Sequence, residues 1–102
     1  MKLVTPRRAK DERNTQRGPS KLHNAQVVPS GSPVKVVQVS IAVTGNTDSG
    51  YLSDRVGTSL HNYTANQTSN VVLDMPVQPD GTIIFGSLTH VYCVVDVRGE
   101  GQ

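Results

Sequence analysis

The chain has 102 residues, a length for one domain, and is 35% hydrophobic and 4% aromatic, with no Trp and one Phe, Phe85. Its core must therefore come from Val, Ile and Leu, and its one cysteine, Cys93, excludes an internal disulfide. The formal charge of +2 is unevenly spread: residues 1–34 carry seven basic side chains against Asp11 and Glu12, whereas residues 35–102 carry three against six acidic ones. No stretch is long enough to span a bilayer, and no apolar run follows Lys2, which predicts no leader and assembly in a cytoplasm.

In chain order, residues 1–33 read as an extended basic N-terminal arm. Pro6, Gly18-Pro19 and the run Pro29–Pro33 punctuate it, its apolar periodicity is poor, and a short strand is predicted at Ala25–Val28. Such an arm is ordered by contacts outside itself. Its partner-binding residues are Arg7, Arg8, Lys10, Arg13, Arg17 and Lys21, which suit an acidic surface on a neighbouring copy or partner. Residues 1–50 lack aromatics for base stacking, so nucleic-acid binding would rest on phosphate contacts alone and is disfavoured. Alternation puts Asp11 and Arg13 on one side, as a pair that pins the arm or as part of a solvated charge run.

Residues 34–102 form the second unit. Val34–Thr44 alternates, with Val37, Val39, Ile41 and Val43 on one face. A loop rich in turn formers follows at Gly45–Gly50. Short strands are predicted at Tyr51–Val56 and Leu60–Tyr63, then the polar loop Thr64–Ser69. Asn70–Val77 is a strand with Val71, Leu73, Met75 and Val77 on one face, and Gln78–Gly81 is a turn. Thr82–Phe85 is the next strand, Gly86-Ser87 a turn, and Thr89–Gly99 the last strand. The final two strands are expected to pair as a hairpin, and Asn70–Val77 with Thr82–Phe85 as another. In the last strand Thr89, Val91, Cys93, Val95 and Val97 share a face, which makes Cys93 a small buried hydrophobe; a reactive thiol is the alternative. The fold class is all-β: a small antiparallel β-sandwich, jelly-roll or Greek-key-like, behind the basic arm.

No catalytic, cofactor or metal constellation stands out. Of the three histidines, His23, His61 and His90, the last two could meet across strands, but nothing in the spacing demands it, and there is no nucleophile elbow or calcium-loop pattern. Val36, Val72, Ile84, Tyr92 and Val94 lie opposite the core positions. If their strands are neighbours they make an apolar interface, covered by the second sheet, the arm or another copy; otherwise they are sandwich interior and rim.

The run Val37-x-Val39-Ser40-Ile41-Ala42-Val43-Thr44-Gly45 is followed by Gly50-Tyr51-Leu52, Asn62-Tyr63, Ala65–Thr68, Asn70, Met75-Pro76-Val77, Asp80-Gly81-Thr82, Thr89-His90-Val91 and Val94–Val97 with Gly99. Together these resemble a β-domain of actinobacterial secreted and cell-surface proteins. Pro6-x-Arg8-x-x-Asp11-x-Arg13 and Lys21-Leu22 are similar to that module's opening segment. Related modules are familiar from virion proteins of phages infecting such bacteria. Ala9-Lys10 stands where the module usually has two apolar residues. The resemblance, the predicted lack of a leader and the solitary domain imply a non-enzymatic structural protein of a bacteriophage particle. That role is capsid decoration or cement (a minor capsid protein), with the major capsid protein and further copies of itself as partners, in the virion, with no cofactor and no membrane. The alternatives are a minor tail protein or a surface-binding module, taking glycan or protein at loops Asn46–Gly50 and Thr64–Ser69 beside Tyr51 and Tyr63.

Overall fold

The computed structural model describes residues 1–14 and 18–102, which form seven strands and one 3-10 turn. The strands are β1 (Lys2–Asp11), β2 (Ser20–Gln26), β3 (Val36–Thr44), β4 (Gly50–Ser53), β5 (Ser59–Tyr63), β6 (Ser69–Pro76) and β7 (Thr82–Gly101); the turn is Glu12–Asn14. All pairings are antiparallel.

The architecture turns on β7, which runs for 20 residues through both layers. Its first half pairs with β2, from Gln26↔Thr82 to Ser20↔Val91, and with β4 at Leu52↔Ser87 and Ser53↔Gly86. Its second half pairs with β1, from Asp11↔Val94 to Lys2↔Glu100, and with β3, from Thr44↔Tyr92 to Val36↔Gly101. One layer is therefore β1-β7-β3-β6 and the other β2-β7-β4-β5. The result is a nearly closed, barrel-like sandwich. The expected turn at Gly86-Ser87 is instead the place where β7 passes between layers. Neither expected hairpin forms, because β6 pairs with β3 and β7 never folds back on itself. Glycine without a Cβ, followed by a small serine, lets the strand bend there, and the register with β2 shifts at the same place, from Leu22↔Gly86 to Ser20↔Val91.

Alternation places the core as expected. Val37, Val39, Ile41 and Val43 of β3 lie beside Val91, Cys93, Val95 and Val97 of β7 on the inner face of their shared layer, all buried, with Leu52, Met75, Ile83 and Phe85 filling the rest. Each such aliphatic side chain contributes roughly 1.5–3 kcal/mol by leaving water.

The segment before Val34 is not a separate arm. Its residues are extended, but β1 and β2 are strands of the two layers, and Ala25, Val27 and Val28 are core residues. The radius of gyration is 13.0 Å, which matches the roughly 13 Å of a folded chain of about 100 residues. The turn Gln78–Gly81 docks the end of this segment. Val27 N–H and Val28 N–H both donate to the Gly81 carbonyl oxygen, at 3.0 and 3.2 Å. Gly81 has φ +85°, and a Cβ there would overlap the Val28 carbonyl oxygen. Only glycine fits.

Candidate functional site

Two polar layers hold β1 and β2 to β7. The outer layer is ionic. Arg7 bonds Glu100 at 2.8 Å and the Val27 carbonyl oxygen at 2.6 Å. Arg8 bonds Asp96 at 2.6 Å and lies 3.3 Å from Asp11. Arg13 clasps Asp11 through Nε at 2.9 Å and Nη2 at 2.7 Å, and its backbone N–H adds a third bond. Lys10 donates to Asn24 Oδ1 at 3.2 Å. The Arg13 side-chain bonds, with its backbone N–H and the charges of Arg13 and Arg8, hold the Asp11 carboxyl down to about 2. The expected Asp11–Arg13 pair is formed, although the chain leaves the strand for the 3-10 turn between them. Arg7, Arg8, Lys10 and Arg13 therefore engage their own chain; Lys21 is exposed, and Arg17 lies outside the described residues.

The inner layer is a buried cluster with no signature in the sequence. His23 of β2 is 1% exposed and stacks on Phe85, with ring centroids 5.1 Å apart and 16° between planes. Its Nδ1 lies 2.9 and 3.0 Å from the two Glu12 carboxylate oxygens, and its Nε2 lies 2.9 Å from Ser87 Oγ. Ser87 Oγ also lies 2.7 Å from the Thr89 carbonyl oxygen and 3.2 Å from that of Ser20. Glu12 Oε1 accepts from the Cys93 N–H at 2.7 Å. Burial, with the Glu12 charge adding to it, pushes the Cys93 thiol well above its usual range. The expectation of a buried Cys93 holds.

The order Ser87–His23–Glu12 is that of a nucleophile triad, but the protons are placed otherwise. Carbonyl oxygens only accept, so an O···O separation of 2.7 Å requires the Ser87 proton to point at Thr89. Ser87 must then accept from His23, which puts a proton on Nε2 and removes the lone pair a general base would need.

Two surface features complete the picture. On the side away from β1 and β2, edge strands β5 and β6 leave a wedge-shaped seam. His61 Nε2 and Ser69 Oγ close one end at 3.0 Å. At the other end a cavity of about 240 Å³ is lined by Val56, Leu60, Met75, Pro76 and Ile84, among others, and Arg55 donates to Gln78 Oε1 across its mouth at 2.9 Å. Val56 is 86% exposed at the rim. The second feature is the junction of loops 45–49 and 64–68, tied by Asn46 Nδ2 donating to the Thr64 carbonyl oxygen at 2.7 Å and by Asn66 N–H donating to that of Asn46 at 2.9 Å. Its cleft is lined by uncharged polar groups from Thr44, Asn46, Thr47, Asn66, Gln67 and Thr68.

The remaining expected site residues scatter. Val36, Val72, Tyr92 and Val94 lie on the outer face of the β1-β7-β3-β6 layer, interleaved with Gln38, Ser40 and the Arg8–Asp96 pair. Val94 is buried, Val36 and Tyr92 are half-buried, and Val72 alone of the four is strongly exposed. Ile84 belongs to the other layer and lines the seam. The five do not make one apolar face. Tyr63 is buried, its hydroxyl bonded to Thr89 Oγ1 at 2.7 Å and to the Thr89 N–H, so its ring is closed to a sugar; Tyr51 is half-buried. His61 meets Ser69 and not His90, which is exposed. Among the described residues no helix is long and apolar enough to cross a membrane. Comparison with family models, curated proteins and solved structures finds no match to this chain.

Proposed function

We propose that the protein is a non-enzymatic structural protein of a bacteriophage particle, a decoration or cement subunit that docks on the major shell protein as a rigid body. The contrast between its two long edges carries the proposal. The free side of β1 is blunted by Pro6, by Arg and Lys side chains and by two register shifts, the usual devices against edge pairing. The edge strand β6 has none of these before Pro76. Its eight residues run in unbroken register with β3, carry one charge, Asp74, and border the apolar seam. An edge of that kind is a liability in a solitary monomer and an attachment rail in an assembly. With the N-terminal strands held by their own chain, docking falls to the body and not to a draped arm.

Gradient-purified particles from an infected source culture test the role. Peptides of this chain are expected in stoichiometric ratio to the shell protein, and their absence overturns the proposal. Val56→Asp changes a side chain that packs on little, so the variant should fold normally and occupy particles poorly.

The uncharged cleft between loops 45–49 and 64–68 favours a second function, binding of a neutral glycan. Hydroxyl and amide groups without a net charge match a sugar's hydroxyls, although no open aromatic platform flanks them. A glycan array probed with multimerised protein, followed by amide shifts at Asn66 and Thr68, decides it.

A further inference from the structure

The buried cluster sets a ring-nitrogen lone pair against a carboxylate, a repulsion that a proton or a metal ion between them removes. With Nε2 protonated toward Ser87, the remaining ring nitrogen, Nδ1, faces two carboxylate oxygens of Glu12 at 2.9 and 3.0 Å. Unprotonated nitrogen and carboxylate oxygen repel at that separation. A proton on Nδ1, giving an imidazolium–carboxylate pair, is one solution. The third member of the cluster points to another. The donor atoms of Glu12, His23 and Cys93 all lie within 4.8 Å of one another. Tetrahedral zinc, with bonds of about 2.0–2.3 Å, sets its ligand atoms roughly 3.3–3.7 Å apart, within small side-chain adjustments of this arrangement.

We propose that Glu12, His23 and Cys93 form a site for a borderline-soft divalent ion, zinc foremost. One imidazole, one carboxylate and one thiolate are the ligand types zinc takes. The surrounding bonds are those such ligands need. Ser87 accepts from His23 Nε2–H and donates its own O–H to the Thr89 carbonyl oxygen, which fixes the tautomer that presents Nδ1. The Cys93 N–H orients the carboxylate through Oε1. Phe85 stops the ring from swinging away.

The charge balance is favourable. The metal-free alternative given above, an imidazolium, a carboxylate and a neutral thiol, has a net charge of zero. Loading forms bonds from the ion to Nδ1, the carboxylate and sulfur, and releases one proton from Nδ1 and one from the thiol. Two protons leave as one divalent cation enters, so the buried site stays neutral and avoids the cost of an uncompensated charge. Entry is from the Glu12 side, where the side chain is 12% exposed.

The test uses the whole purified chain, stripped with chelator and titrated with zinc alone and, separately, cobalt(II) alone. One zinc per chain should survive gel filtration, with two protons released per ion and a raised thermal midpoint. Cobalt should give a thiolate charge-transfer band and the intense visible bands of a tetrahedral site. Cys93→Ala keeps the backbone N–H that holds Glu12, so it should stay folded while losing the thiolate band and on the order of 100-fold or more in zinc affinity. Absence of binding overturns the proposal and leaves the proton as the cation. So does binding without the thiolate band that Cys93→Ala leaves unchanged, since the ion then sits elsewhere.

Discussion

Glu12→Ala tests whether the buried cluster is what holds the N-terminal strands in place. Truncation removes the acceptor of the Cys93 N–H and both contacts to His23 Nδ1, at residues that are 0% and 1% exposed. An unsatisfied buried donor costs about 1–3 kcal/mol, and breaking a buried ion pair from one side costs about 3–5 kcal/mol. These overlap, so the expected loss is about 3–5 kcal/mol, a large share of the roughly 5–15 kcal/mol of a small domain. At about 4–8 °C per kcal/mol for a domain of this size, the thermal midpoint should fall by on the order of 20 °C. Glu12→Gln keeps an acceptor for the Cys93 N–H and should lose less. Arg8→Ala, which breaks an exposed pair on the same strand, should shift the midpoint far less than either. Urea unfolding followed by tyrosine fluorescence and circular dichroism in chelator measures all three. A Glu12→Ala loss below about 1 kcal/mol, within the range of ordinary surface changes, refutes the reasoning.

Gly81→Ala adds a Cβ to a φ of +85° and drives it into the Val28 carbonyl oxygen; with backbone unable to give way, urea unfolding should show a loss of roughly 2–4 kcal/mol. The Cys93 thiol, buried and raised by Glu12, should resist alkylation in the native protein and react at once in denaturant; rapid native labelling would contradict the burial. Asp11 has a folded pKa depressed to about 2 from 3.8, so its contribution to stability is complete above about pH 4 and is lost as pH falls through about 2. A carboxyl NMR titration should place the Asp11 midpoint there, and Arg13→Ala should return it toward the ordinary value.

Alternation made β3, β6 and the second half of β7 legible, because each has one face of Val, Ile, Leu or Met against a polar or mixed one. The same logic divided β7 at Gly86-Ser87, since two turn-prone residues in a row normally end a strand. Here they mark a bend, because β2 and β4 flank that point and hold the ladder on both sides. β1 escaped for a different reason. Beyond its backbone ladder with β7, its side-chain links to that strand are the ion pairs of Arg7 and Arg8, and its core-packed residues Val4 and Ala9 make no apolar period to read. The buried cluster joins Glu12, His23, Ser87 and Cys93 from distant parts of the chain, so no local spacing could announce it. One signal was present. His23, Ala25 and Val27 alternate on the face that turned out to be buried, and extending the short strand predicted at Ala25–Val28 upstream places a histidine in the core, where it requires polar partners.

The position of β7 in the chain has a consequence for biosynthesis. Strands β1 to β4 all take hydrogen bonds from residues 82–101, which leave the ribosome after every one of them. Strands β1 and β2 therefore wait as unpaired nascent chain, and β3 and β4 have only β6 and β5 to pair with, so the full order arrives in one late, cooperative event with long loops to close. A stop codon that removes only the last ten residues would take away every ladder partner of β1 and leave β3 paired mainly with β6. It should leave an aggregation-prone chain rather than a shortened domain.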